Sequence, residues 1–241
     1  MTRRLITIAV AALAASACNM GTETEERDPG SSVSRSYQIG AFDRIEVAGP
    51  YDVMVTTGGR PGASATGGDN LLDATEVLVE GKVLKIRPKT RNGFNFSWGK
   101  KGKAQFAVTT AMLHGASILG SGAVKVDKVD GDFKGLIGGS GDLALAAIKG
   151  GAIDFVIGGS GTITAAGTAQ STGIRIGGSG EVDASALAAK TASVAIGGSG
   201  DVKANASDSA TVKIGGSGDV VITGGAKCKV SKAGSGNVTC G

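Results

Sequence analysis

Along the second half of the chain, apolar residues alternate with polar or small ones on both sides of a recurring glycine-rich break. Ile118, Ile137, Ile157, Ile176, Ile196 and Ile214 stand before the break, with Phe155, Ile174, Val194 and Val212 two places earlier in their units. Val124, Leu143, Ile163, Val182, Val202, Val220 and Val238 follow it, and the residues between are mostly like Arg175, Lys213, Thr164 and Lys203. A period of two marks strands with one buried face. Each unit therefore predicts a strand, a GGSG corner, a second strand and a looser polar connection.

The corner serines are Ser121, Ser140, Ser160, Ser179, Ser199, Ser217 and Ser235, separated by 19, 20, 19, 20, 18 and 18 residues. Two short strands cannot bury their apolar face alone, but stacked units can, at a spacing of ~4.8 Å. Seven such units predict a β-helix, or solenoid, with ~19-residue coils and a repeat region on the order of 30 Å long. A two-sheet sandwich would alternate in the same way, yet nothing in it enforces the period.

Residues 37–110 are less repetitive but read as a β-rich N-terminal portion preceding the 111–241 repeat. "FDRIEVAGPYDVMVTTG" alternates through Ile45 and Val47, turns at Gly49-Pro50, and alternates again through Val53 and Val55. "ATEVLVEGKVLKIRPK" supplies two more strands around Glu80-Gly81. No window has the caps and period of a long amphipathic helix.

Composition narrows the class to all-β. The chain has 42 glycines but 4 prolines, and no glycine at every third place, which excludes collagen. Its 41% apolar content, regularly placed, argues against flexible low-complexity sequence. The formal charge of +4 comes from 25 basic and 21 acidic residues. Without the first 17 residues, which hold Arg3 and Arg4, the balance is 23 against 21, so nothing calls for a nucleic-acid partner.

The opening "MTRRLITIAVAALAASAC" has two arginines, an apolar run from Leu5 to Ala15, and small residues, the layout of an export signal over 1–17. The run is too short for a permanent membrane span. Cys18 then resembles the lipidated cysteine of a bacterial lipobox, although Ala15 stands where such boxes usually carry Leu. Lipidation there would tie the protein to a membrane of the cell envelope, in the periplasm or at the outer membrane; ordinary cleavage would secrete it. The polar stretch that follows predicts a disordered tether over 18–36.

The corner glycines have two expected causes: positive φ at a sharp turn, and no room for a side chain under the next coil. Ligand readings of the same glycines fail on spacing. A P-loop needs GxxxxGK[ST], a dinucleotide fingerprint needs a following helix, and a G-x-S-x-G nucleophile elbow needs an intervening residue. Calcium-binding β-helix repeats carry Asp two places after the last glycine, whereas Asp142, Asp201 and Asp219 follow it directly. That column, with Glu181, is broken by Thr162 and ends in Asn237. No metal site or other cofactor is expected. The stacked serine hydroxyls are expected to bond to one another or to backbone. The alternative is a solvent-facing array for a sugar or mineral surface.

The last unit departs from the pattern. Lys232 replaces the buried isoleucine and Ala233 the first glycine, giving a polar final level that resists docking of another chain. Cys228 and Cys240 fall in register with Ala210 and Ile222, inward positions on different strands, which in an exported protein predicts a disulfide.

One segment holds candidate binding chemistry. In "IRPKTRNGFNFSWGKKGK", Phe94, Phe96 and Trp98 alternate among cations that include Arg91, Lys100 and Lys101. Aromatic faces stack on sugars and the cations suit acidic glycans or lipid headgroups. The same alternation would also suit a hairpin packing on the first coil. No catalytic residue is assigned, because His114 has no evident partner and the connections are short and small. The competing class is a carbohydrate-active β-helix hydrolase or lyase, which would need paired acids on an outer groove.

Taken in order, "AFDRIEVAGPYDVMVTTG", "GDNLLDATEVLVEGKVLKI" and the GSG repeats resemble the head GIN domain, also described as an autotransporter adhesin domain, over residues 37–240. The resemblance implies an exported bacterial protein with a continuous β-helical body. It carries over no catalytic residues, and it permits a polysaccharide, a lipid or another envelope protein as partner.

Overall fold

The computed structural model describes residues 27–89 and 103–241. Its first part contains β1 (Ser32–Tyr37), β2 (Arg44–Val47), β3 (Tyr51–Thr57), β4 (Gly62–Gly68), the short helix α1 (Asp69–Asp73), β5 (Thr75–Glu80), β6 (Val83–Pro88) and β7 (Ala104–Thr110). The coils follow as β8 (Gly115–Ile118), β9 (Ala123–Val126), β10 (Val129–Asp130), β11 (Phe133–Ile137), β12 (Asp142–Lys149) and β13 (Ala152–Ile157). They continue through the long bent strands β14 (Thr162–Ile176), β15 (Glu181–Ile196) and β16 (Asp201–Ile214), then β17 (Val220–Thr223), β18 (Lys227–Lys232) and β19 (Val238–Cys240).

Parallel pairing builds two long walls that meet at the corners. Strands before the corner form the first wall, in the order β6, β2, β8, β11, β13, the second half of β14, the second half of β15, the second half of β16, and β18. Strands after the corner form the second wall, from β7 and β3 through β9 and β12 to β17 and β19. A short third side closes each coil, as where Val129 pairs Ile148 and Gly167 pairs Leu187. This is the expected β-solenoid.

The isoleucine column lies in register, Ile157 on Ile176 on Ile196 on Ile214, and every member is buried. Each such side chain contributes about 1.5–3 kcal/mol by leaving water, so the column is a large share of the core. Variation in coil length is absorbed on the third side. Between the coils beginning at Glu181 and Asp201, the register slips at Ala184/Ala188 and again at Ala189/Thr191. That slip accommodates the step from a 20-residue to an 18-residue serine spacing without disturbing either wall.

Threading of the first part differs from the expected division at residue 110. β2 and β3 pair with β8 and β9 on one side and with β6 and β7 on the other, so the parallel stack runs back to residue 44. The chain lays down its second level first, doubles back, and fills the level beyond it. The end is then closed by antiparallel β5 on β6, β4 on β7 and β1 on β4. Strand β1 begins inside the segment expected to be tether. Its residues are alternately exposed and half-buried, and so give little apolar signal in the sequence.

Beneath this end, α1 buries Leu71 and Leu72, and the Tyr51 ring meets Phe106 edge-on at 5.5 Å. The Tyr51 hydroxyl lies 3.0 Å from Thr75 Oγ1, which donates to the Leu71 carbonyl at 2.8 Å. At the other end, Cys228 and Cys240 form a disulfide that joins the two walls of the last coil. Their partners in the coil beneath are Ala210 and Ile222.

Candidate functional site

The corner is built by backbone, not by serine hydroxyls. Ser199 N–H donates to the Gly178 carbonyl at 3.0 Å, and Ser217 N–H to that of Gly198 at 3.0 Å. All seven serines are exposed, and among the described residues none of their hydroxyls has a hydrogen-bond partner. The hydroxyls form an outward row in place of the bonded ladder.

Nor is positive φ the reason for the glycines, since of the repeat-corner glycines only Gly234 has it. Close approach is. A Cβ on Gly198 would land on the carbonyl oxygen of Gly178, and one on Gly200 on that of Gly180. The first glycine has more room: a Cβ on Gly215 meets nothing nearer than 3.7 Å, and one on Gly138 meets only the end of the Leu119 side chain at 3.2 Å. Only that first place accepts other residues, Leu119 and Ala233, while the other two glycines stand in all seven corners.

On the second wall, the outward places just past the corner hold the acidic column. Asp142 pairs Thr162, Thr162 pairs Glu181, and Glu181 pairs Asp201. Toward the end of the stack these carboxylates serve the fold: Asp219 N–H donates to Asp201 Oδ1 at 2.9 Å, and Asn237 N–H to Asp219 Oδ1 at 2.7 Å. Lys203 lies 3.6 Å from Glu181. One row further out, Asp183 accepts from the Ser185 hydroxyl at 2.6 Å and from its amide at 3.1 Å. Those two bonds, the hydroxyl's first, hold its carboxyl below the usual range. Among the described residues, no group of three His, Cys, Asp or Glu side chains is placed to hold a metal ion.

The first wall has the opposite charge over the same coils. Residues 171–176, 191–196, 209–214 and 227–232 carry Arg175, Lys213, Lys227, Lys229 and Lys232 and no carboxylate. Arg175, Ala195, Lys213 and Ser231 occupy one outward row on successive coils. A shallow depression of about 480 Å³ runs along this row, floored by Ala195 and by Gly177, Gly197 and Gly215. Among the described residues, Arg175 has one distant partner, Asp154 at 3.9 Å, and Lys213 and Lys229 have none. A second groove of about 620 Å³ lies on the opposite wall near β3, lined by Met54, Ala107 and Ala123 and by the mixed charges Asp52, Lys103, Lys125 and Asp142. There Lys103 is already 3.9 Å from Asp52.

His114 is exposed, with Nδ1 3.2 Å from the Asp132 carbonyl oxygen. Cys18 and the expected export signal over 1–17 lie outside the described residues, as do Arg91, Phe94, Phe96, Trp98, Lys100 and Lys101. The basic wall is the feature that sequence reasoning missed. Its signal was available in the period, because Arg175 and Lys213 hold the same place in units two apart.

Solved structures share the whole architecture. A "putative adhesin" from Bacteroides fragilis NCTC 9343 matches with a TM-score of 0.81 at 21% identity, covering 89% of this chain and 99% of that one. A "putative lipid binding protein" from Parabacteroides distasonis ATCC 8503 matches at 0.71 and 25% identity, covering 88% and 97%. A "putative adhesin" from Parabacteroides merdae ATCC 43184 gives 0.67 at 19%, covering 89% and 98%. No protein of curated function matches the chain. The family model described as "putative auto-transporter adhesin, head GIN domain" matches residues 41–226, from the doubled-back first coils almost to the disulfide, and the chain therefore belongs to the head GIN domain family.

Proposed function

We propose that this protein is a non-catalytic, adhesin-like module anchored at the cell envelope through a lipid on Cys18, presenting a rigid β surface to a partner outside the membrane. The observation that carries the reading is the family match over residues 41–226, joined to a body whose outer faces are mostly rows of small, polar and charged side chains, with Met54 and Met112 the most exposed of the large apolar ones. Core burial is continuous from Ile45 to Ile222, so those faces are held rigid from one end to the other. Rigidity lowers the entropic cost of binding an extended partner. The lipid supplies the membrane attachment, and the residues between Cys18 and β1 supply reach.

Fractionation of the native protein, with palmitate labelling of wild type and Cys18→Ser, tests the anchor. The expected result is a labelled, membrane-bound wild type and an unlabelled, soluble variant; equal labelling or equal solubility overturns it. An enzyme of acidic polysaccharides is the competing class. Turnover of such a polymer that is abolished by Asp142→Asn or Asp201→Asn would replace the non-catalytic reading.

A further inference from the structure

We propose that the basic wall of the last four coils binds a linear acidic polysaccharide lying along the solenoid axis, with Arg175, Lys213 and Lys229 as its cationic contacts. The inference rests on the adhesin-like reading and names the chemistry of the partner.

Three observations carry it. The first is uncompensated charge. Among the described residues, Lys213 and Lys229 are exposed without partners, the one carboxylate near Arg175 is 3.9 Å away, and the strand segments themselves hold no acid. The second is shape. Arg175 and Lys213 stand in one row two coils apart, ~9.6 Å, with Ala195 between them, and Lys229 continues the line one coil further in the adjoining row. The floor of glycine and alanine lets a polymer chain lie against the backbone. In a linear polymer of uronic acids, such as polygalacturonate, every second carboxylate falls at that kind of interval.

The third is the polar lining. The hydroxyls of Ser193, Thr211 and Ser231 are outward on this wall and make no hydrogen bond among the described residues, which leaves them to pair with sugar hydroxyls. Among the described residues, Val230 at the open end is the one large apolar side chain exposed on this wall, and no aromatic ring is there to stack on bases, so lipid and nucleic acid fit less well. The larger groove near β3 is a poorer site for an anion, because its cations sit beside Asp52 and Asp142. Exposed ion pairs are individually weak, so binding needs several at once and falls with salt.

The test measures the purified full chain against immobilised polygalacturonate, neutral dextran, and vesicles of phosphatidylglycerol in phosphatidylcholine. Two triple variants are compared: Arg175→Gln/Lys213→Gln/Lys229→Gln, and Lys125→Gln/Lys134→Gln/Lys149→Gln, which removes equal charge elsewhere. All six positions are exposed, and melting curves verify folding. The expected result is salt-sensitive binding to polygalacturonate and none to dextran. The first variant should bind about tenfold more weakly or worse, and the second like wild type. Absence of polygalacturonate binding, equal loss in both variants, or stronger variant-sensitive binding to the vesicles overturns the proposal. None of these outcomes bears on the Cys18 labelling, so the two readings fail separately.

Discussion

Substituting alanine at two adjacent glycines of one corner should have opposite effects. At Gly197 a Cβ meets nothing nearer than 3.9 Å, and φ there is not positive. Gly197→Ala should therefore be neutral or stabilising by about 0.4–1 kcal/mol, through the unfolded chain's lost freedom. At Gly198 the new Cβ would fall on the Gly178 carbonyl oxygen, and the nearest oxygen beyond it, of Gly177, is 3.2 Å away. Relief requires the two coils to separate at the corner. That movement strains the bonds Gly197 N–H to Ile176 at 2.8 Å, Ser199 N–H to Gly178 at 3.0 Å and Ser217 N–H to Gly198 at 3.0 Å. Loss of two or three such bonds, at about 1 kcal/mol each plus the cost of any group left unpaired, gives about 2–4 kcal/mol. For a chain of this size that is a fall of about 5–15 °C in melting temperature. Thermal unfolding of the two variants measures it, and hydrogen exchange over residues 171–218 locates it, because coils in a stack depend most on their neighbours. Equal melting temperatures for the two variants would refute close approach as the reason for these glycines.

The disulfide and the buried tyrosine give two further expectations. Cys228→Ser with Cys240→Ser, or reduction, should destabilise by about 2–3 kcal/mol, with exchange accelerating over 227–240 while residues 152–176 stay protected; uniform acceleration would contradict a local staple. Burial raises the Tyr51 pKa above its ordinary 10.0, against the smaller opposing effect of the hydrogen bond shared with Thr75, so the unfolded chain ionises first. The stabilisation is complete below pH 10.0 and is lost as pH rises through the folded value. Alkaline titration of stability should show that fall, reduced in Tyr51→Phe, and an unchanged slope in the variant would refute it.

Much of the solenoid could be read along the chain because its cause is local and repeated. Alternation gave the strands, the 18–20-residue period gave the stacking, and register alone placed Cys228 over Ala210 and Cys240 over Ile222. The threading of the first coils could not be read that way. Val53 alternates with its neighbours just as Phe106 does, and nothing in either pattern says which level lies inside the other. That order depends on which strand edges are free when the chain doubles back, a relation between segments distant in sequence. The corner glycines were assigned correctly as structural but for a partly wrong reason, since turn propensity cannot distinguish positive φ from a close approach.

The candidate site was hidden by the same geometry that made the fold plain. In linear sequence Arg175, Lys213 and Lys229 are isolated cations on exposed strand places, and the compact run from Arg91 to Lys101 draws attention first. A solenoid turns sequence period into surface, so residues of like charge at one place in successive units become a row. Alternate acidic and basic places within a unit likewise become separate walls. Near neutrality overall is then compatible with two strongly different faces: Glu181, Asp201 and Asp219 on one side of the corner, Arg175 and Lys213 on the other. Net charge describes such a molecule poorly. A partner meets one wall at a time, and the wall's own charge decides which polymers can approach it.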